Sequence, residues 1–204
     1  ALDLLRANSS LKAEKKASRV AADGQLKISI NSDYVSLIEI NSETDFAAKD
    51  KQFKTFASDV AKYLESTKVH LVDDLNEQFL KERHALIQSI GENIQLRRLK
   101  TLDVAVGGSI GTYIHSDGKL AALVSIDTDN QELAKDLAMQ VSATNPSGLT
   151  SEDIDSEMLA RERAIYRAQA EESGKEPPIE KGLIVSVDLR IPAAIPEEYA
   201  SDLP

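Results

Sequence analysis

The amino-acid sequence predicts an α+β fold of two similar subdomains, each a small antiparallel sheet packed against helices, with a helical N-terminal arm. Two observations carry this. Short alternating or β-branched runs come in pairs, at residues 26–30 with 34–40 and at 109–115 with 120–126, and each pair is followed by apolar residues at helical spacing. The segment Leu37-Ile38-Glu39-Ile40 ahead of the first helix is echoed by Leu123-Val124-Ser125-Ile126 ahead of a helix over 130–143, so one plan is used twice. The 204 residues, 42% hydrophobic and 28% charged, are enough to bury a core of ordinary size.

Leu-Lys-Ile-Ser-Ile at 26–30 alternates cleanly and meets the run 34–40 through Asn31-Ser32-Asp33, whose side chains suit a turn. A helix over about 46–65 follows, with Phe53, Phe56, Ala57, Val60 and Leu64 on its core face. A second helical pattern over about 74–90 puts Leu75, Phe79, Leu80, Leu86 and Ile87 on one face, and Gly91 stops it. Arg97-Arg98-Leu99 leads into the second pair of runs, joined by Ser116-Asp117-Gly118-Lys119, a strong hairpin signal. In the helix over 130–143 Met139 is expected in the core. Asn145-Pro146-Ser147-Gly148 then breaks the chain, and a polar helix is predicted over 157–172.

The most informative stretch is Glu39-Ile40-Asn41-Ser42-Glu43-Thr44-Asp45-Phe46-Ala47-Ala48-Lys49-Asp50, where a strand hands over to a helix. Asn41, Ser42 and Glu43 are expected to end the strand and shape the turn. Either Thr44 or Asp45 can supply the side-chain oxygen that caps the first free N–H groups. An Asp-Phe pair then sits at the tip. Phe46 lies seven residues before Phe53, so a helix running unbroken through both would carry it to the core face; a turn at the junction leaves it exposed.

Composition excludes several classes of function. No cysteine is present, which removes disulfides, thiolate metal sites and a cysteine nucleophile, and fits a reducing compartment. No apolar run approaches a membrane span, so no membrane partner is expected. His70, His84 and His115 lack metal-ligand spacing, and Gly107-Gly108-Ser109-Ile110-Gly111 lacks the Lys-Ser/Thr of a phosphate-binding loop. No catalytic residue, metal or cofactor is expected. The net charge of −10 is uneven: residues 1–28 carry six bases against three acids, and residues 151–204 six against thirteen. That balance argues against direct nucleic-acid binding, leaving the tract Lys12 to Arg19 as the one place that could hold RNA, with a solvated helix or linker as its ordinary reading.

Ile40-Asn41-Ser42-Glu43-Thr44-Asp45-Phe46-Ala47-Ala48-Lys49-Asp50 resembles the signature of the translation elongation factor Ts family. Residues 12–24 resemble that family's basic linker, Ile90-Gly91-Glu92-Asn93-Ile94-Gln95-Leu96-Arg97-Arg98 its second box, and Tyr113-Ile114-His115 and Leu137-Ala138-Met139-Gln140-Val141 fall in the expected order. The resemblance covers about residues 1–175. After Gly174-Lys175 the chain departs from it: the family's long helical hairpin and terminal module look shortened or absent, and of its three-helix N-terminal domain only the last helix, at residues 1–8, is expected in this sequence. Pattern and resemblance together divide the chain into an N-terminal helix end and basic linker (1–24), two core subdomains (25–101 and 102–150), and a polar helix with an acidic tail (151–204).

The resemblance implies a guanine-nucleotide exchange factor, not an enzyme, whose partner is the translational GTPase elongation factor Tu. It implies that Thr44, Asp45 and Phe46 bind the GTPase, with Phe46 as a wedge near the nucleotide and magnesium site, Asp45 fixing its approach and Thr44 shaping the turn. His115 is implied to touch the third domain of the GTPase, against the plainer reading of an exposed turn residue. Arg97 and Arg98 can equally pair with acids of this chain. The alternative function is a structural or RNA-associated translation protein using the basic arm. A bacterial cytoplasmic location is expected, with mitochondrion or plastid open, as is a homodimer or a heterotetramer with the GTPase.

Overall fold

A computed structural model of the chain describes residues 18–146, Lys16, Gly148, residues 153, 155–157, 160–161 and 164–165, and the backbone of 185–190. The helical arm expected before Lys16 and most of the polar helix expected over 157–172 lie outside these residues.

In chain order the elements are β1 (Asp23–Ile30), β2 (Tyr34–Ser42), α1 (Asp45–Lys49), α2 (Lys51–Ser66), α3 (Val72–Gln78), α4 (Leu80–Ile90), β3 (Ile94–Asp103), β4 (Ser109–Ile114), β5 (Leu120–Ile126), α5 (Gln131–Thr144) and β6 (Val185–Arg190). They form two three-stranded antiparallel sheets, ordered β1-β2-β3 and β4-β5-β6. The fold is α+β, as the alternating runs predicted. The strands β3 and β6 are additions: residues 94–103 read in sequence only as a lead into the second hairpin, and β6 completes the second sheet from a segment that carried no strand assignment.

The first hairpin turns as its polar residues dictate. Asn31 Oδ1 accepts from Asp33 N at 3.0 Å, Asn31 N donates to Tyr34 O at 2.9 Å, and Asn31 Nδ2 and Tyr34 Oη reach back to the last carbonyls of α2, Glu65 O at 2.7 Å and Leu64 O at 2.9 Å. The turn is thereby tied to the helix end it faces.

Layers run helices, sheet, sheet, helix. Ile38 and Ile40 point from β2 into a core with Phe53, Phe56, Ala57, Val60 and Leu64 of α2, Leu75, Leu86 and Ile87. The opposite face of the same strand carries Val35 and Leu37, which meet Ile110, Ala121 and Leu123 of the second sheet. All nine residues of β2 are therefore buried, which explains why its sequence alternates only in part. On the far side α5 packs through Ala138 and Val141 onto Ala122 and Val124. It comes very close: a Cβ on Gly111 of β4 would fall 1.8 Å from the Ala134 carbonyl oxygen.

Both long helices expected from periodicity are broken. Asp50 takes an extended backbone (φ −60°, ψ 144°), closing α1 and capping α2, with its Oδ1 accepting from Gln52 N at 2.7 Å. Phe79 (φ −101°, ψ 16°) separates α3 from α4 because its ring is held edge-on by Phe56 and Tyr63, at centroid distances of 5.9 and 5.5 Å. The second break shifts the helical phase, so Leu80, expected in the core, is exposed. Met139, also expected in the core, is 38% exposed; Ala138 and Val141 fill the inward positions of α5. Gly91 stops α4 as expected, in the left-handed region at φ 91°.

Candidate partner-binding site

The tip is built from four short pieces of chain. Strand β2 runs on through Asn41 and Ser42, two residues further than their turn-forming character suggested, and both are buried. Ser42 Oγ then bonds Thr44 O at 2.9 Å, bending the chain. Thr44, of the two candidates, is the cap: its Oγ1 accepts from Ala47 N at 3.3 Å, and Ala48 N donates to Thr44 O at 3.2 Å. The result is the five-residue helix α1.

Ala47 and Ala48 of that helix face inward and are buried, whereas Phe46 is 81% exposed and Phe53 fully buried. The break at Asp50 is the physical reason. It resets the helical phase between the two phenylalanines, so their spacing of seven no longer puts them on one face. Asp45 bonds Lys49 one turn on, Oδ2 to Nζ at 2.6 Å. That contact, helped by the more distant Lys119 and by the Phe46 N–H, holds the Asp45 carboxyl below its ordinary range. The same contact raises Lys49.

A latch that the motif did not single out holds the turn from below. Glu92, just past the helix stop, receives both polar hydrogens of Thr44: the N–H at 2.9 Å on Oε2 and the hydroxyl at 2.7 Å on Oε1. Next to it the Asn93 N–H donates to Glu43 Oε1 at 2.6 Å, Arg19 stands 3.6 Å from the same oxygen, and Asn93 Nδ2 bonds Arg19 O at 2.7 Å. Lys16 Nζ bonds Gly91 O at 2.6 Å. Two members of the basic tract are thus spent on fastening the linker to the base of the tip. The available signal was the polar pair Glu92-Asn93 placed directly after a glycine stop.

Arg97 and Arg98 do pair within the chain. Strand β3 carries a bulge opposite Glu39 and Ile40; adjacent strand residues normally face opposite ways, and the extra residue lets both guanidinium groups reach one carboxylate. Arg97 Nη1 lies 3.3 Å from Glu39 Oε1, and Arg98 Nε bonds Oε2. Glu39 is fully buried, and its two arginines supply the compensation that a buried charge needs.

His115 opens the turn of the β4-β5 hairpin and is exposed. Its N–H donates to Leu120 O at 2.8 Å and its carbonyl accepts from Gly118 N at 2.9 Å, while Nδ1 lies 3.1 Å from Asp117 Oδ1. The Asp117 carboxyl is held below its ordinary range, first by the Lys119 N–H and then by His115. Phe46 and His115 are not equivalent positions of a repeat, since Phe46 follows the open end of its hairpin and His115 lies in the closed turn. Sheet packing still ties these two ends together: Leu26 N donates to Gly118 O at 2.7 Å, and Lys119 Nζ pairs with Asp23 Oδ2 at 2.6 Å, beside the strand end that leads into the tip. Among the described residues no group of His, Asp and Glu could hold a metal ion, and no helix is long and apolar enough to cross a membrane.

The profile of the family described as elongation factor TS matches residues 43–185, a span that holds Thr44, Asp45, Phe46 and His115. The chain is 44% identical over 178 residues to the elongation factor Ts of Hahella chejuensis, an alignment covering 86% of this chain and 61% of the relative. It is 38% identical over 183 residues to that of Thioalkalivibrio sulfidiphilus, covering 86% and 62%, and 38% identical over 192 residues to that of Francisella tularensis subsp. novicida, covering 91% and 65%. The chain spans about three-fifths of the length of these curated relatives. Match and identity together show that it belongs to the elongation factor Ts family.

Proposed function

We propose that this chain accelerates GDP release from the translational GTPase elongation factor Tu, with Asp45 and Phe46 as the element that enters the GTPase and with no hydrolysis of its own. The observation that carries the reading is a phenylalanine 81% exposed on a helix that is capped at one end and latched from below. An exposed aromatic ring forgoes burial that any covering partner would restore. A phenylalanine buries about 150–250 Å², which at about 25 cal/mol per Å² gives an upper limit of about 4–6 kcal/mol, enough to compete with contacts around a bound nucleotide.

An exchange factor works by binding the nucleotide-free GTPase more tightly than the nucleotide-bound form, because a ligand shifts an equilibrium only by its differential affinity. Reciprocity then requires GDP to weaken the complex by the same factor. A wedge has to be rigid, or ordering it would consume the binding energy. The Thr44 cap, the Asp45–Lys49 bond and the Glu92 latch supply that rigidity. His115, on the linked hairpin turn, is the second contact; gripping one partner at two points raises the effective concentration of the wedge.

The test is the rate of labelled GDP release from elongation factor Tu with and without the chain. Acceleration at micromolar concentration is expected. Absence of acceleration, together with salt-sensitive RNA binding, would favour the RNA-associated alternative, which the engagement of Lys16 and Arg19 with Gly91 and Glu43 already disfavours.

A further inference from the structure

Beside the Phe46 tip the surface is basic, on a chain whose net charge is −10. Lys51, Lys54 and Lys62 of α2 are exposed at positions i, i+3 and i+11, on the side of the helix opposite Phe53, Phe56, Val60 and Leu64. At a rise of 1.5 Å per residue the stripe is about 16 Å long. Lys49 of α1, three residues after Phe46, shares with it a shallow cleft of about 480 Å³ in which Asp59 is the one carboxylate. Lys49 is paired with Asp45. Among the described residues Lys51, Lys54 and Lys62 have no carboxylate within ion-pair distance. The neighbouring hydroxyls of Thr55 and Ser58 turn back to their own helix, onto the carbonyls of Lys51 and Lys54 at 2.9 and 2.8 Å, so ammonium groups are what the stripe offers.

We propose that this stripe docks an acidic helix on the same protein partner that receives Phe46, an inference that rests on the reading of the tip as partner-binding. A partner surface large enough to cover Phe46 extends over Lys49 and the start of α2. A helix lying along α2 presents carboxylates at i, i+3 or i+4 and i+7, in steps of about 5–6 Å; one such step matches Lys51 to Lys54, and two match the rise of about 12 Å from Lys54 to Lys62. The other polyanion that fits is RNA. The acid excess elsewhere on the chain repels an extended phosphate backbone, whereas a short acidic helix needs only the length of the stripe. Exposed ion pairs add little affinity; the stripe acts before contact, steering the approach and setting the association rate.

The experiment compares the chain with its Lys51→Glu/Lys54→Glu/Lys62→Glu variant, and with the corresponding triple Arg variant, in stopped-flow association with nucleotide-free elongation factor Tu over a range of ionic strength. At low salt the Glu variant should associate at least tenfold more slowly, with the gap closing near about 0.5 M salt as screening shortens the field. Its saturating rate of GDP release and its dissociation rate should stay within about twofold, and the Arg variant should match the parent. Equal association rates at all salt concentrations, with GDP release by the parent chain intact, would overturn the stripe alone. A parent chain that neither binds nor accelerates release would overturn the partner reading and the stripe with it. Unchanged association combined with stripe-dependent binding of a labelled 20-nucleotide RNA would assign the lysines to nucleic acid instead.

Discussion

Replacing Glu92 by alanine isolates the latch, because it removes both acceptors of Thr44 while leaving Phe46 and the exposed side of α1 untouched. The bonds lost are the Thr44 N–H at 2.9 Å and its hydroxyl at 2.7 Å. Hydrogen bonds to charged groups contribute about 1.5–3 kcal/mol each when water is excluded, but contacts of exposed charges fall to about 0.2–1 kcal/mol. Both bonds are exposed, so together they are worth about 0.4–2 kcal/mol, which at 1.36 kcal/mol per decade is a two- to thirtyfold change in the opening equilibrium of the tip. Global stability should change much less, since a five-residue helix can open without the core. Native-state hydrogen exchange reads this directly: protection at the Ala47 amide, whose acceptor Thr44 Oγ1 remains, should fall by about that factor, and the Thr44 amide, which loses its acceptor outright, by at least as much, with core amides of β2 unaffected. Glu92→Gln, which keeps one acceptor, should be intermediate. Wild-type protection at Thr44 and Ala47 in Glu92→Ala would refute the latch and with it the claim that the tip is pre-ordered.

Gly111→Ala should lower the melting temperature by at least about 2 °C, since a Cβ 1.8 Å from the Ala134 carbonyl forces α5 off the sheet and overpacking costs about 1–3 kcal/mol; an unchanged melting temperature would show that α5 can shift freely. The Asp45 carboxyl, followed by NMR, should titrate below its ordinary value of 3.8, so the Asp45–Lys49 contact is present above that value and lost only as pH falls through the depressed one. Lys49→Ala should bring it back toward 3.8, and no movement would mean that the pair does not form. His115→Ala should raise the concentration needed for half-maximal GDP release with little change in the saturating rate; an unaltered half-maximal concentration would return His115 to an ordinary turn residue.

The core face of α2 was legible because five apolar residues at helical spacing can be buried together in only one way. The hairpins were legible from Asn31-Ser32-Asp33 and Asp117-Gly118, whose turn chemistry is local. What periodicity could not reveal was where a helix breaks. Asp50 reads as an ordinary exposed helix residue until its side chain is seen capping Gln52, and Phe79 until its ring is seen between Phe56 and Tyr63. Those two residues set the phase of what precedes or follows them, which decided Phe46 and misplaced Leu80. Strand β3 was hidden for a different reason: Arg97 and Arg98 interrupt its alternation, and only the bulge opposite Glu39 makes two successive arginines compatible with a strand. The tip residues of the site were visible in the motif, and Glu92 fell within the second box, but its role as the latch was not legible, because it lies 48 residues from the Thr44 it holds and no local pattern records a contact across that distance.

The most direct test of the account is Phe46→Ala, measured at once for stability and for GDP release from elongation factor Tu. A buried phenylalanine cut to alanine costs about 3–5 kcal/mol, and Phe53→Ala serves as that reference, whereas Phe46, 81% exposed, should leave the melting temperature where it is. The saturating rate of GDP release should fall ten- to hundredfold, equivalent to about 1.4–2.7 kcal/mol of lost transition-state stabilisation. A stable Phe46→Ala variant that still releases GDP at the parent rate would contradict the wedge, and a variant that melts like Phe53→Ala would contradict the exposed tip on which the wedge depends.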